Sequence, residues 1–302
     1  MFASSVRCIL VYDIGGSHIS CAICAMGDFQ LGTVVTAPHL AEPSSAAFLD
    51  QIERLGKKAA HRTAHPAGAA LAFPGPFDYA AGVSLMRHKL PYLYGVDLRA
   101  ALAARFGWDP AQVTFVHDAS AFLLGEMSAG AARGFNRSVG LTLGTGVGSA
   151  FAINGRLVNE GKGVPPGGEI WNLPFDGATI EDAVSSRAIR LAYSRRTGRE
   201  REVALLARRA MEDPDSRIAF HEFGEKLGLA MRAILADFAP QVVVLGGGIC
   251  HCAELFLPTA QRVAEVLHLD IRISELFERA ALVGAAAAWF NSSNGAHGNL
   301  LR

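Results

Sequence analysis

Val11-Tyr12-Asp13-Ile14-Gly15-Gly16-Ser17-His18-Ile19 and Leu141-Thr142-Leu143-Gly144-Thr145-Gly146-Val147-Gly148-Ser149 are the two stretches on which the fold turns. Each is an apolar run that enters a glycine cluster and leaves at once as a second apolar run. Strand, turn, strand is the reading, with glycine supplying the positive φ that a tight hairpin favours. Outward from the first copy, Pro43-Ser44-Ser45 caps a helix carrying Phe48, Ile52 and Leu55 at helical spacing. Ala69 to Phe73 reads as a buried strand stopped by Pro74-Gly75-Pro76. Leu98 to Phe106 is a helix, Val113 to Val116 a strand ending at His117-Asp118, and Ala119 to Ala132 a helix.

The second copy repeats the scheme. Ser138 to Leu143 and Ala150 to Ile153 are strands, and Asn154-Gly155 is a strong hairpin signal returning through Arg156 to Val158. A glycine- and proline-rich loop from Gly161 to Gly168 leads to Glu169; helices are expected over Ile180 to Thr197 and around Phe220 to Phe238. Gln241 to Leu245 is a buried strand that stops at Gly246-Gly247-Gly248. Alternating strands and helices make the class α/β. The repeat predicts two related lobes facing each other across a central cleft, residues 1–117 and 118–279. The last helix, within 280–302, is expected to pack back on the N-terminal lobe, although its pattern alone fits either. The tail after Phe290 is small and polar and is expected to fray.

The chain has 302 residues, comfortable for two domains of about 150. Half are hydrophobic and 19% charged, so a large core can form. Lys+Arg and Asp+Glu are 28 each and the formal net charge is zero, which argues against partners held by bulk charge, such as duplex nucleic acid or an anionic membrane. No apolar run approaches the ~20 residues that span a bilayer. No signal peptide is read either, because Cys8 to Val11 runs straight into Asp13 and glycines. A soluble cytoplasmic protein is the expectation. The five cysteines include Cys21-x2-Cys24 and Cys250-x-Cys252. Cys21 and Cys24 lie three apart on a strand and so point to opposite faces, and Cys252 is followed by no ligand at zinc spacing. Buried free thiols are expected, with no disulfide and no metal there.

Three glycine clusters, each at the end of an apolar strand, carry the chemistry. Consecutive backbone amides without Cβ atoms around them form a concave anion nest. Gly144-x-Gly146-x-Gly148 opens a strand, so it is no dinucleotide fingerprint, and no Gly-Lys-Ser/Thr makes a P-loop. One such cluster alone is ordinary hairpin chemistry; three in two repeated lobes point to a nucleotide.

Asp13-Ile14-Gly15-Gly16-Ser17, His117-Asp118-Ala119-Ser120-Ala121, Leu143 to Gly148 and Leu245-Gly246-Gly247-Gly248-Ile249, in this order and at these separations, resemble the ROK family (repressors, open reading frames, kinases) of sugar kinases. That family has the two-lobed actin-like ATPase, ribonuclease H-like, fold. The resemblance implies an ATP- and Mg2+-dependent kinase that phosphorylates a hydroxyl of a hexose or hexose derivative, glucokinase-like, and a homodimer by the family's habit. It implies that Asp13, Gly15, Gly16 and Ser17, with Gly144, Thr145 and Gly146, hold the phosphates, and that Gly246, Gly247 and Gly248 lie beside the adenosine.

Phosphoryl transfer to a hydroxyl needs a proton acceptor. Asp118 is the candidate, where a strand ends and a helix begins, and the family's matching aspartate is the base; a plain helix N-cap is the competing role. Asp13 is the Mg2+ candidate, since magnesium takes carboxylates and retained waters. The resemblance carries sugar contacts onto Glu169, Glu181, His117, Asp118, Asn172 and the loop at Gly75. Two departures stand out. The family's cysteine-rich zinc loop is replaced by Trp171 to Thr179 without a cysteine, and Asn172 stands where the family has a zinc-binding His, so no zinc is expected. This is similar to the zinc-free branch, which includes polyphosphate-using glucokinases. His117 stands where many members have Asn. Met86 to Val96, with Tyr92 and Tyr94, either reaches the sugar or packs on itself. The rival readings are a polyphosphate-dependent glucokinase, a weakly catalytic sugar sensor, and a DNA-binding regulator, the last disfavoured because only Met1 to Tyr12 precede the first turn.

Overall fold

The computed structural model describes residues 7–60 and 65–295. The chain divides into two compact units, one running to Ala129 and resuming at Glu278, the other Gly130–Phe277. The first unit holds strands β1 (Cys8–Ile14), β2 (His18–Ala25), β3 (Val35–Pro38), β4 (Ala69–Phe73) and β5 (Val113–His117). They form one sheet in the order β3-β2-β1-β4-β5. The second unit holds β6 (Arg137–Leu143), β7 (Val147–Ile153), β8 (Arg156–Val158), β9 (Val242–Gly246) and β10 (Asp270–Ile273), in the order β8-β7-β6-β9-β10. The two orders are the same. In both, an antiparallel three-strand meander is extended by two parallel strands. The repeat read in the sequence is therefore a repeat of topology.

In the first unit α1 (Ser45–Ala60) starts on the Ser44 hydroxyl, which accepts the Ala47 amide at 3.1 Å. Its apolar stripe, Phe48, Ile52 and Leu55, is buried on the sheet. α2 (Leu98–Phe106) is capped by Asp97, whose carboxylate accepts the Ala100 amide, and ends on Gly107 in the left-handed conformation. Tyr92 packs on Phe48, while Met86, Leu90 and Leu93 are buried, so the segment 86–96 folds onto its own unit.

α3 (Asp118–Ala129) and α9 (Ala280–Gly295) are apolar on nearly every face, as buried helices are. α9 lies on β1, β4 and β5 and crosses α3 at close range. A Cβ on Gly284 would overlap the Ala121 carbonyl and come 2.8 Å from the Gly125 amide; one on Gly125 would come 2.8 Å from the Ala280 carbonyl carbon. That intimacy is why the unit boundary falls after Ala129 and not at His117: α3 is buried with the strands of the N-terminal sheet, not with β6 and β7 after it. α9 also runs on through Asn291 to Gly295, where fraying was expected; residues 296–302 lie outside the described residues.

In the second unit, α4 (Ile180–Val184), α5 (Ser186–Thr197), α6 (Val203–Arg209) and α7 (Pro214–Leu235) separate β8 from β9, and α8 (Leu257–Ala264) precedes β10. The single helix expected over 180–197 is two. Ser185 is extended at φ −112°, ψ 174°, and the break sends the start of α5 toward the glycine turn after β6. No described helix is long and apolar enough to cross a membrane. All five cysteines are free and buried.

The α3–α9 crossing admits no side chain at either glycine. Gly284→Ala should lower unfolding free energy by roughly 3 kcal/mol, the range of severe overpacking. Urea denaturation checks it, and a variant within 0.5 kcal/mol of wild type (about the error of a surface change) would contradict the packing described.

Candidate active site

Asp13 was expected at the head of a turn, but it is the penultimate residue of β1, paired with Ser20 across the hairpin. The turn itself is Gly15 to Ser17. Neither Gly15 nor Gly16 has positive φ, and the same holds at Gly144 and Gly146; of the glycines assigned to the three clusters only Gly247 does, at +85°. Backbone handedness therefore does not explain these glycines, contrary to the sequence expectation. Space does. A Cβ on Gly146 would come 2.7 Å from Glu181 Oε2, and one on Gly15 would come 3.2 Å from the His18 carbonyl. A Cβ on Gly16, Gly144 or Gly248 would meet nothing within 4 Å. At those three neither strain nor the protein's own packing calls for glycine, so the cradle is open to a ligand. Among the described residues the amides of Gly16, Ser17, Thr145 and Gly146 find no protein acceptor, as an anion nest requires.

In the first unit β1 and β5 deliver two carboxylates to neighbouring places, Asp13 near the end of one and Asp118 just past the other. Burial, and next the Asp118 charge, push the Asp13 carboxyl up to about 7. Asp118 opens α3, but its Oδ1 accepts only the adjacent Ala119 amide at 2.7 Å, which is not the reach of an N-cap. His117 Nε2 lies 3.2 Å from the same oxygen, with the two side chains 26% and 42% exposed. Oδ2 has no hydrogen-bond partner among the described residues. The His117 ring stands edge-on to Tyr79 at 6.0 Å, and Tyr79 in turn donates to the Phe73 carbonyl at 3.0 Å. A Cβ on Gly75 would lie 3.6 Å from the Tyr79 hydroxyl and 3.9 Å from the His117 ring, so the Gly75 loop borders this corner.

In the second unit the Gly144–Gly146 turn is braced from α4 and α5. Glu181 Oε2 accepts the Val147 amide at 3.0 Å, and Gly144 donates its amide to the Gly146 carbonyl at 3.0 Å. Glu181 thus has one oxygen occupied by the turn itself, a structural use that its sugar assignment did not foresee. Gly247 sits directly on Leu143; a Cβ there would come 2.8 Å from the Leu143 amide, so the Gly246–Gly248 cluster adjoins the first turn residues. Glu169 is exposed and accepts the Trp171 indole N–H at 2.9 Å. It is held from below by a residue that sequence reasoning missed. The buried Ser149 hydroxyl donates to the Gly168 carbonyl at 2.6 Å and accepts the Ile170 amide at 3.1 Å, bracketing Glu169. A serine inside an apolar strand was the available signal. Asn172 is exposed, in a loop tied to α4 by the Glu181 amide bonding the Trp171 carbonyl at 3.0 Å. A two-rung hairpin, Pro174–Phe175 with Ala178–Thr179, and the packing of Leu173 and Phe175 on the core hold this cysteine-free loop.

Asp13 and Asp118 supply oxygen donors of the kind Mg2+ takes. Among the described residues no three His, Cys, Asp or Glu side chains converge, so the remaining positions would fall to phosphate oxygens and water.

The ROK family model matches residues 9–292. The chain belongs to the ROK family. It is 30% identical over 247 residues to the glucokinase of Thermotoga maritima, covering 71% of this chain and 76% of that one. It is 25% identical over 289 residues to the N-acetyl-D-glucosamine kinase of Salmonella newport, covering 89% and 93%. Its fold matches the ROK glucokinase of Streptomyces griseus, solved with glucose and AMPPNP, with a TM-score of 0.77 at 20% identity, over 93% of this chain and 98% of that one. The two-lobed actin-like ROK fold is thus the fold of this chain.

The elevated Asp13 carboxyl makes stability depend on pH. Below about pH 3 the residue is neutral both folded and unfolded. Between pH 4 and about 7 the unfolded chain ionises it and the folded one resists, so stability falls as pH rises. Asp13→Asn should be more stable than wild type at pH 8, on the order of 4 kcal/mol, and indistinguishable below about pH 3. Urea unfolding in EDTA without nucleotide measures this; a less stable variant at pH 8 contradicts it.

Proposed function

We propose that this ROK protein is an ATP-dependent sugar kinase that phosphorylates a hydroxyl of a hexose or hexose derivative. The observation that carries the reading is the pair of glycine turns, one in each unit, in which the Gly16, Ser17, Thr145 and Gly146 amides are open among the described residues and a Cβ on Gly16 or Gly144 would meet nothing, together with the carboxylate pair of the first unit. Family membership and the kinase relatives support it.

Each group has a task in that chemistry. The open amides of the two turns bind phosphate oxygens and offset their charge, and Gly246 to Gly248 border the adenosine. Asp13 would hold the Mg2+ that accompanies the nucleotide, an ion that would supply further charge neutralisation at the phosphates. Asp118 takes the proton of the attacking hydroxyl on Oδ2, since Oδ1 already accepts the Ala119 amide and lies beside His117 Nε2. Glu169, Asn172, His117, the free oxygen of Glu181 and the Gly75 loop are the proposed sugar contacts; carboxylates accept hydrogen bonds from adjacent hydroxyls. A homodimer and a cytoplasmic location belong to the same reading.

Asp118→Asn keeps the shape of the side chain and removes its basicity. It should retain ATP and sugar binding and lose on the order of 10³-fold in kcat. Unchanged turnover would remove Asp118 as the base. Sugar-phosphate formation over a panel of hexoses and N-acetylhexosamines, with ATP and with polyphosphate, tests the activity itself. No product with either donor would overturn the kinase reading, and product with polyphosphate alone would replace ATP as the donor.

A further inference from the structure

A trans peptide group points its carbonyl and the next residue's N–H in opposite directions. Fixing one therefore aims the other. At the tip of the β1–β2 hairpin one residue fixes two carbonyls. His39, beyond β3 and 24 positions from the turn, donates from ring Nε2 to the Gly15 carbonyl at 2.8 Å. Its main-chain amide donates to the Ser17 carbonyl at 3.2 Å. The N–H groups of Gly16 and His18, the other halves of those two peptide groups, are turned away from His39. The other ring nitrogen, Nδ1, is buried and finds no hydrogen-bond partner among the described residues.

The second unit meets the same need with a different residue. Ser186, the first residue of α5 and 42 positions from the turn, donates to the Gly144 carbonyl twice, from its amide at 2.8 Å and from its hydroxyl at 2.9 Å. The Thr145 N–H is thereby aimed the opposite way. In both units the first glycine of the turn also donates its own N–H within the turn, Gly15 to the His18 carbonyl and Gly144 to the Gly146 carbonyl. The first of the amides left open is the next one along, Gly16 in one unit and Thr145 in the other.

We infer that His39 and Ser186 are positioning residues for phosphate binding: each clamps the carbonyl of a turn's first glycine so that the following amide faces the bound phosphate. The inference rests on the nucleotide-binding part of the kinase reading and adds determinants that no motif contains. The Ser186 clamp keeps its main-chain donor whatever the side chain, whereas the His39 clamp loses its ring bond on substitution, so the two should differ in sensitivity.

The test is steady-state kinetics of the full chain with ATP and its best sugar. His39→Phe keeps a ring and loses the donor; it should raise the KM for ATP about tenfold and leave the KM for sugar within twofold. His39→Gln, which restores a side-chain N–H donor, should bring the ATP KM back to within about threefold of wild type, a rescue that a purely structural role would not produce. Ser186→Ala should raise the ATP KM only two- to threefold, because the amide bond persists. An unchanged ATP KM in His39→Phe, or an equal rise in both KM values, overturns the inference. So does a His39→Gln no better than His39→Phe, and if His39→Phe fails to fold, His39→Gln and Ser186→Ala decide. Should wild type phosphorylate no sugar, the kinase reading fails separately. Titration of ATP alone into wild type and His39→Phe then decides the clamp: weaker binding in the variant sustains it, equal binding ends it.

Discussion

Where a β-ladder ends, the backbone stops bonding to its neighbour, and each peptide group at the hairpin tip must find a partner or face solvent. The ends of β1 and β6 are such places, and within each unit the other candidate residues are arranged around one of them. The strand orders of the two sheets are the same, so the same geometric problem arises in each unit. Its solutions differ in residue and agree in effect. His39 holds one turn, and Ser186 with Glu181 holds the other. In both, some amides are satisfied from within the unit and a short run remains open. A rigid sheet is what makes this useful: amides aimed by a fixed scaffold are already oriented when an anion arrives, so little ordering cost is left for binding.

The carboxylates of the first unit represent the opposite arrangement. Asp13 is held by ladder pairing in a place where burial and a neighbouring carboxylate both disfavour its charge. Such a placement costs stability and is expected at functional sites more than elsewhere. The cost is contained because the surrounding scaffold is strongly overdetermined: β1 is flanked on both sides by paired strands and lies beneath α9, itself locked to α3 at two glycines.

Much of this was readable along the chain. Eight of the ten core strands, all but β3 and β10, were read from the sequence, most of them as apolar runs, and β7–β8 by Asn154-Gly155, which takes φ of 50° and 77° as that turn demands. The glycine clusters were visible too, but the reason for them was misjudged. Positive φ is a local property and seemed a sufficient cause; the observed causes at Gly15, Gly146 and Gly247 involve close neighbours, and Gly247 alone combines close approach with positive φ. The break at Ser185 was also invisible, since residues 180–197 have an unbroken helical composition and what interrupts them is a bond to Gly144, far away in sequence.

Local chemistry thus determined which segments are strands, where the chain turns, that a repeat is present, and which carboxylates end strands. Those follow from side-chain size, periodicity and the φ/ψ preferences of single residues, all short-range quantities. The tertiary structure alone decided which way each turn amide points, which oxygen of Asp118 stays free, that Glu181 braces a turn, and that α3 is buried against α9. Apart from the free oxygen of Asp118, which its neighbours Ala119 and His117 settle through local backbone and side-chain geometry, each of these depends on a contact between residues tens or more positions apart, and a linear pattern holds no record of the distance at which two such residues come to rest.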